Sequence, residues 1–334
     1  MPSDSVVEAS APARVDLAGG TLDLWPLHAL HPGSVTVNLA IDRRASCRVR
    51  RGGEGVRVVA PDRGLDRRAR SPKEFRGDPG TALVGALLEE LAPAGGIELE
   101  FRSGVPFGSG LGGSSALAVA VAAALARLSG AAFGGAGGVE FVRDVETRVL
   151  GKPAGVQDYY PAFGGGLHVL RFETGRTVAE REDVDAEAWD SHLTLFDTGA
   201  AHSSGMNNWE VFRRRLEGDP EVTQGLEKVA VAARAMAEAA AGRDFAGMGR
   251  ALDREWKARR ELAPVVSSPA IEAAIATALA AGAWGGKACG AGGGGCVVFL
   301  SPPQRTSAVR EALGRLAGGQ VLPVRAENRG LAFA

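Results

Sequence analysis

One stretch, Pro106-Phe107-Gly108-Ser109-Gly110-Leu111-Gly112-Gly113-Ser114-Ser115-Ala116, limits what this chain can fold into more than any other. Before it, Ile97 to Arg102 alternates apolar and polar residues as a half-buried strand does. After it, Ala116 to Leu128 is an almost unbroken Ala/Val/Leu run, too long for a typical strand and rich in helix formers. A strand, a loop of small residues and a helix N-terminus are therefore predicted in that order. Unpaired amides and the positive end of the helix dipole suit such a junction to an anion. Glycines let the main chain approach it, because no Cβ stands in the way. A tight turn with a serine cap would need fewer of them, so the density points to phosphate.

Known phosphate loops narrow the choice. Gly108, Gly110 and Gly113 satisfy G-x-G-x-x-G, but a dinucleotide site wants an acidic residue about 20 positions on. That distance falls in Ala131-Ala132-Phe133-Gly134-Gly135. No Lys follows the glycines as a Walker loop requires, and the protein-kinase sequences Val-Ala-Ile-Lys, His-Arg-Asp and Asp-Phe-Gly are absent. A chain of 334 residues exceeds the usual single domain, so two domains sharing a cleft are expected, 1–188 and 189–334. A net charge of −1 gives no electrostatic case for nucleic acid or a membrane surface. Cys47, Cys289 and Cys296 are odd in number and scattered, which argues against a disulfide framework or a zinc site. Met1 to Ser10 lacks the apolar core of a signal peptide, and no uninterrupted apolar run is long enough to span a membrane. A cytoplasmic monomer or homodimer is the expectation.

Along the chain, Ala11 to Pro26 reads as a short strand entering a Gly19-Gly20 turn, with Arg14 before it and Asp23 after it. Val35 to Asp42 and Ala45 to Arg50 read as two strands around Arg43-Arg44, and Val56 to Ala60 as a third. Arg63 to Gly77 reads as a charged surface excursion, and Ala82 to Leu91 as an amphipathic helix. After a Gly-rich connection, Val139 to Leu150 is a helix stopped by Gly151, with Glu146 near its last turn. A carboxylate opposes the dipole there; either a magnesium ion or the neighbouring Arg143 and Arg148 would repair the conflict. Gly155 to Gly166 carries Asp158 among small and aromatic residues, as either a sheltered carboxylate with a chemical task or a turn cap. Then come a strand from His192 to Gly199, helices over 222–241, 245–262 and 270–281, and Lys287-Ala288-Cys289-Gly290-Ala291-Gly292-Gly293-Gly294-Gly295 before the strand Val297 to Leu300. Lys287 either contacts phosphate or sits in solvent.

The loop Pro-x-Gly-Ser-Gly-Leu-Gly-Gly-Ser-Ser-Ala resembles the central phosphate loop of the GHMP kinases. Arg14 to Gly20 resembles their first motif, in the Arg-x-x-x-Ala-Gly-Gly form of heptose-phosphate kinases and of the kinase half of fucokinases. Gly155 to Gly166 is similar to the Gly-x-Gln-Asp-x-Tyr stretch ending in Phe-Gly-Gly of the heptose-phosphate kinases and to the corresponding Met-Asp-Gln stretch of galactokinases, and Lys287 to Gly295 resembles the third GHMP motif. The resemblance implies an α+β fold in two parts, ribosomal-protein-S5-like at the N-terminus and ferredoxin-like at the C-terminus. It implies transfer of the ATP γ-phosphoryl group, with Mg2+, to a hydroxyl of a small sugar. Nucleotide phosphate would meet Pro106, Gly108, Ser109, Gly110, Leu111, Gly112, Gly113, Ser114 and Ser115. Ser115 and Glu146 would hold the metal, while Asp158 and Arg14 would carry the catalysis. Gly19, Gly20, Asp23, Tyr159, His202, Gly292 and Gly293 would line the acceptor.

His202 stands where heptose-phosphate kinases carry an Arg, which is nearer the galactokinase pattern. A heptose or heptose phosphate is the expected acceptor. A hexose such as galactose or fucose is the alternative, followed by a mevalonate-pathway kinase or decarboxylase. A non-catalytic sugar-binding regulator is disfavoured by the intact Arg14, Glu146 and Asp158.

Overall fold

The computed structural model describes residues 6–200 and 204–334, without side chains at 204–207. Two sheets organise it. The larger contains β1 (Val6–Ala18), β2 (Val35–Arg51), β3 (Val56–Ala60), β4 (Leu65–Ala69), β5 (Ile97–Arg102), β6 (Leu167–Glu173), β7 (Arg176–Glu182) and, from the far end of the chain, a short strand Ala332–Phe333. The smaller contains β8 (Leu193–Asp197), β9 (Gly285–Ala288), β10 (Cys296–Leu300) and β11 (Gln320–Leu322), in the order β11-β8-β10-β9. The strand Ala332–Phe333 is β12; it lies along β1 on the side away from β2. All pairs are antiparallel except β3 with β5.

β2 is one strand where two were expected. Pro12 pairs with Arg44 but Ala13 with Ile41, so Asp42 and Arg43 are taken up as a bulge opposite a residue that has no amide to donate. The bend lets β2 pair with β6 over its first half and with β5 over its second. The charged excursion also hides β4, an edge strand in which Asp66 and Arg68 face solvent while Leu65, Arg67 and Ala69 are half-covered.

The helices are α1 (Leu27–Leu30), α2 (Ala82–Leu91), α3 (Gly113–Ser129), α4 (Gly135–Leu150), α5 (Tyr159–Gly164), α6 (Ala186–His192), α7 (Ser204–Leu216), α8 (Pro220–Ala241), α9 (Phe245–Arg259), α10 (Pro269–Ala280) and α11 (Pro303–Gly314). α3 is apolar on every side because it is enclosed on every side, with Ser115 to Ala126 buried throughout. It shares one core with α2, α4 and the half of the large sheet around β3 and β5. A second core joins the C-terminal half of β1 and the N-terminal half of β2 to α8, α9 and the small sheet, and a third lies beneath α7, α8, α9, α10 and α11. α4 begins at Gly135 rather than Val139, so the Gly-rich connection is partly helical. α10 opens as its sequence predicts, with Ser268 accepting from the Ile271 amide and Pro269 in the first turn.

Candidate active site

Gly112 precedes α3 as its N-cap residue, with a φ of +68° that favours glycine, and no side chain caps the helix. A Cβ at Gly112 would stand 3.3 Å from Arg14 Cγ and 3.4 Å from the Asp158 carboxyl. The serines that would have capped the helix turn elsewhere. Ser114 Oγ donates to Glu146 Oε1 at 2.8 Å, and Ser115 Oγ lies 3.4 Å from Glu146 Oε2 and 3.5 Å from Asp158 Oδ2. The first amides of a long helix are thus left without side-chain partners at the point where two carboxylates and two hydroxyls converge.

Arg14 closes the other side. Its Nε and Nη2 donate to Asp158 Oδ1 at 2.8 and 2.6 Å, its Nη1 reaches the Gly110 carbonyl at 2.5 Å, and its amide donates to the Leu111 carbonyl. The Arg14 side chain is 4% exposed and that of Asp158 24%, so the carboxylate is the more accessible partner. Burial weakens the Arg14 charge, but Asp158 and Asp16 outweigh it and hold the guanidinium firmly protonated. Asp158 occupies the N-cap position of α5 yet its side chain caps nothing there, so the turn-cap reading fails.

Glu146 is buried, which raises its pKa; hydrogen bonds from Tyr159 and Ser114 oppose the rise, and the Asp158 charge adds to it. Neither arginine relieves it, because Arg143 pairs with Asp144 and Arg148 with Glu90. Tyr159 departs from its expected place on the sugar wall. It is fully buried, and its hydroxyl donates to Glu146 Oε2, so it braces a carboxylate instead. The donor set of Ser114, Ser115 and Glu146 is all oxygen, the chemistry magnesium prefers. Among the described residues no three His, Cys, Asp or Glu side chains gather as a metal site.

The third motif lies under the central loop. Cys296 N donates to the Ser109 carbonyl at 2.9 Å, and a Cβ on Gly295 (φ +72°) would come within 2.7 Å of the Gly108 and Ser109 carbonyls. Ser109 and Leu111 are themselves buried, so their carbonyls hold the loop in shape, while Pro106 and Ser114 are exposed. Gly292 and Gly293 turn against Val266, whose carbonyl accepts from the Gly293 amide. Lys287 fits neither expectation, since it is fully buried and paired with Asp16 and Glu255. Asp23 is buried beside Gln157, whose amide donates to Asp23 Oδ2 at 3.1 Å. His202 lies outside the described residues.

Two family models match the chain, the GHMP kinases N terminal domain over residues 81–166 and the GHMP kinases C terminal domain over 235–318. The chain belongs to the GHMP kinases. It is a phosphotransferase with an alcohol group as acceptor, in a family of ATP-dependent kinases. This GHMP kinase is 26% identical to a D-glycero-alpha-D-manno-heptose 7-phosphate kinase of Campylobacter jejuni, across 93% of this chain and 94% of the relative. It is 28% identical to a mevalonate kinase of Thermococcus onnurineus across 97% of each. The crystal structure of a D-glycero-D-manno-heptose 1-phosphate kinase from Bacteroides thetaiotaomicron superposes with a TM-score of 0.78 at 22% identity, covering 98% of both chains, which establishes the shared fold. No helix among the described residues is long and apolar enough to cross a membrane.

Proposed function

We propose that this GHMP kinase transfers the γ-phosphoryl group of ATP to a hydroxyl of a heptose or heptose phosphate. The observation that carries the reading is the meeting of Arg14, Asp158, Ser114, Ser115 and Glu146 at the uncapped start of α3, next to the turn that bears Asp23. Phosphoryl transfer depends chiefly on holding the reactants in line and neutralising charge on the transferred oxygens. The amides ahead of α3 would hold the β- and γ-phosphates. Ser115 or Ser114 with Glu146 would hold Mg2+, which supplies charge neutralisation when bound. Asp158 accepts or orients the proton of the attacking hydroxyl, and Arg14 fixes that carboxylate while offering positive charge to the developing transition state.

Mevalonate is the second reading, on the strength of the archaeal relative. Against it stands Asp23, a buried carboxyl that suits hydroxyl donors and repels an acceptor carboxylate. A panel assay of ADP release decides, using D-glycero-D-manno-heptose, its 7-phosphate, galactose, fucose and mevalonate. Turnover confined to the heptoses is expected; turnover on mevalonate alone overturns the proposal. Asp158→Asn should lower kcat at least about 10²-fold, the low end for losing a general base, with nucleotide affinity retained. Near-normal turnover would remove Asp158 from the chemistry.

A further inference from the structure

Behind the acceptor turn lies a group of buried charges that the transfer chemistry leaves unused. Lys287, on β9, places its ammonium 3.0 Å from Asp16 Oδ2 and 3.0 Å from Glu255 Oε2. One turn further along α9, Arg259 puts Nε and Nη2 on Glu255 Oε1 at 3.0 and 2.6 Å. Two cations face two anions, so the group carries no net charge.

The remaining bonds all run to one place. Arg259 Nη2 donates to the Gly20 carbonyl at 2.6 Å and Nη1 to Thr21 Oγ1 at 3.1 Å, while the Gly19 amide donates to Glu255 Oε1 at 3.2 Å. Asp16 closes the turn from behind, since a Cβ on Gly20 would stand 2.6 Å from Asp16 Oδ2. Thr21 has a φ of +77°, unfavourable for a β-branched residue, and such a conformation persists only where the surroundings over-determine it. Its hydroxyl also donates to Asn208 Oδ1 at 2.9 Å. Stability alone is a poor reason for the arrangement, because apolar residues of the same volume often replace a buried ion network without loss.

We propose that Glu255, Arg259 and Lys287 are positioning residues for the acceptor: through Gly19, Gly20 and Thr21 they set where the Asp23 carboxyl stands. The role given to Asp23 rests on the sugar-kinase reading; the grip on the turn does not.

Arg259→Lys keeps the charge and the reach to Glu255 but loses the fork that also holds Gly20 and Thr21. With magnesium, ATP and D-glycero-D-manno-heptose 7-phosphate, the acceptor KM should rise about tenfold or more, the equivalent of one charge-assisted hydrogen bond. The KM for ATP and kcat should change little. Thr21→Val, which removes the hydroxyl, should behave alike, and Thr21→Ser should match the parent. An unchanged acceptor KM in both Arg259→Lys and Thr21→Val overturns the proposal, as does a parallel rise in both KM values, the mark of general loosening. If Arg259→Lys does not fold, the Thr21 pair decides.

Should the parent enzyme phosphorylate none of the acceptors offered, the sugar reading fails by itself and hydrogen exchange judges the positioning. Faster exchange at amides 19–24 of Arg259→Lys, with 97–102 unchanged, upholds it; unchanged exchange at 19–24 overturns it.

Discussion

Asp23 is buried, and burial, with the charges of Asp158 and Asp16, pushes its pKa up to about 6 against the hydrogen bond from the Gln157 amide. The unfolded chain gives up this proton near its ordinary value of 3.8. Between the two values the folded state binds more proton, so stability falls as pH rises, and above pH 6 the full cost of about 3 kcal/mol is present. Asp23→Asn keeps the oxygen that Gln157 needs and never ionises. Urea unfolding should show it more stable than the parent at pH 7.5, by up to about 3 kcal/mol, with the gain gone near pH 3. Its acceptor KM should rise, because the lost charge is the one offered to hydroxyls. At this scale Glu146 at a helix end and Asp158 in a loop of small and aromatic residues raised the question of their charge in the sequence, whereas Arg14 entered only through the resemblance of its motif. The sequence did not carry the partners. Whether Arg143 or Arg148 reaches Glu146, and whether Tyr159 faces a sugar or a carboxylate, depends on which way helices face after packing. Glu255 and Arg259 did leave a trace, as charged residues on the stripe of α9 that otherwise buries Met248, Leu252 and Trp256.

Where side chains hold the acceptor turn, main chain props the phosphate loop from below. The phosphate loop leans on the third motif through main-chain contacts at Ser109 and Cys296, with Gly295 pressed against two loop carbonyls. Gly295→Ala should therefore act on the nucleotide side. The Cβ must displace Gly108 and Ser109, and overpacking of that kind corresponds to an ATP KM raised about tenfold or more, with the acceptor KM close to the parent value. Steady-state kinetics with each substrate varied in turn checks this. α3 was legible from composition, since a long run of Ala, Val and Leu after a glycine loop leaves little else to be. β4 and the bulge in β2 were not. The consecutive charges Asp66, Arg67 and Arg68 disguise an edge strand, and Arg43-Arg44 resembles a turn until Pro12 is known to lie opposite.

Across the whole molecule the two sheets are tied at the site and again at the far end of the chain. After β11 the chain returns to the large sheet, pairing Ala326 with Ile41 and Ala332–Phe333 with β1. Arg44 clasps this return, donating to the carbonyls of Ser10, Arg329 and Gly330 at 2.9, 2.8 and 2.6 Å. Arg44→Ala should cost about 2 kcal/mol or more in urea unfolding and leave both KM values unchanged, since none of those bonds touches the cleft.

The same return has a bearing on biogenesis. Ala9 is made long before its neighbour across the ladder, Phe333. Until β12 is made, the outer edge of β1 at Ala9 and Ser10 therefore presents unpaired amides and carbonyls, the kind of edge that recruits strands from other molecules. A nascent chain stalled before residue 332 should be the species most in need of a chaperone.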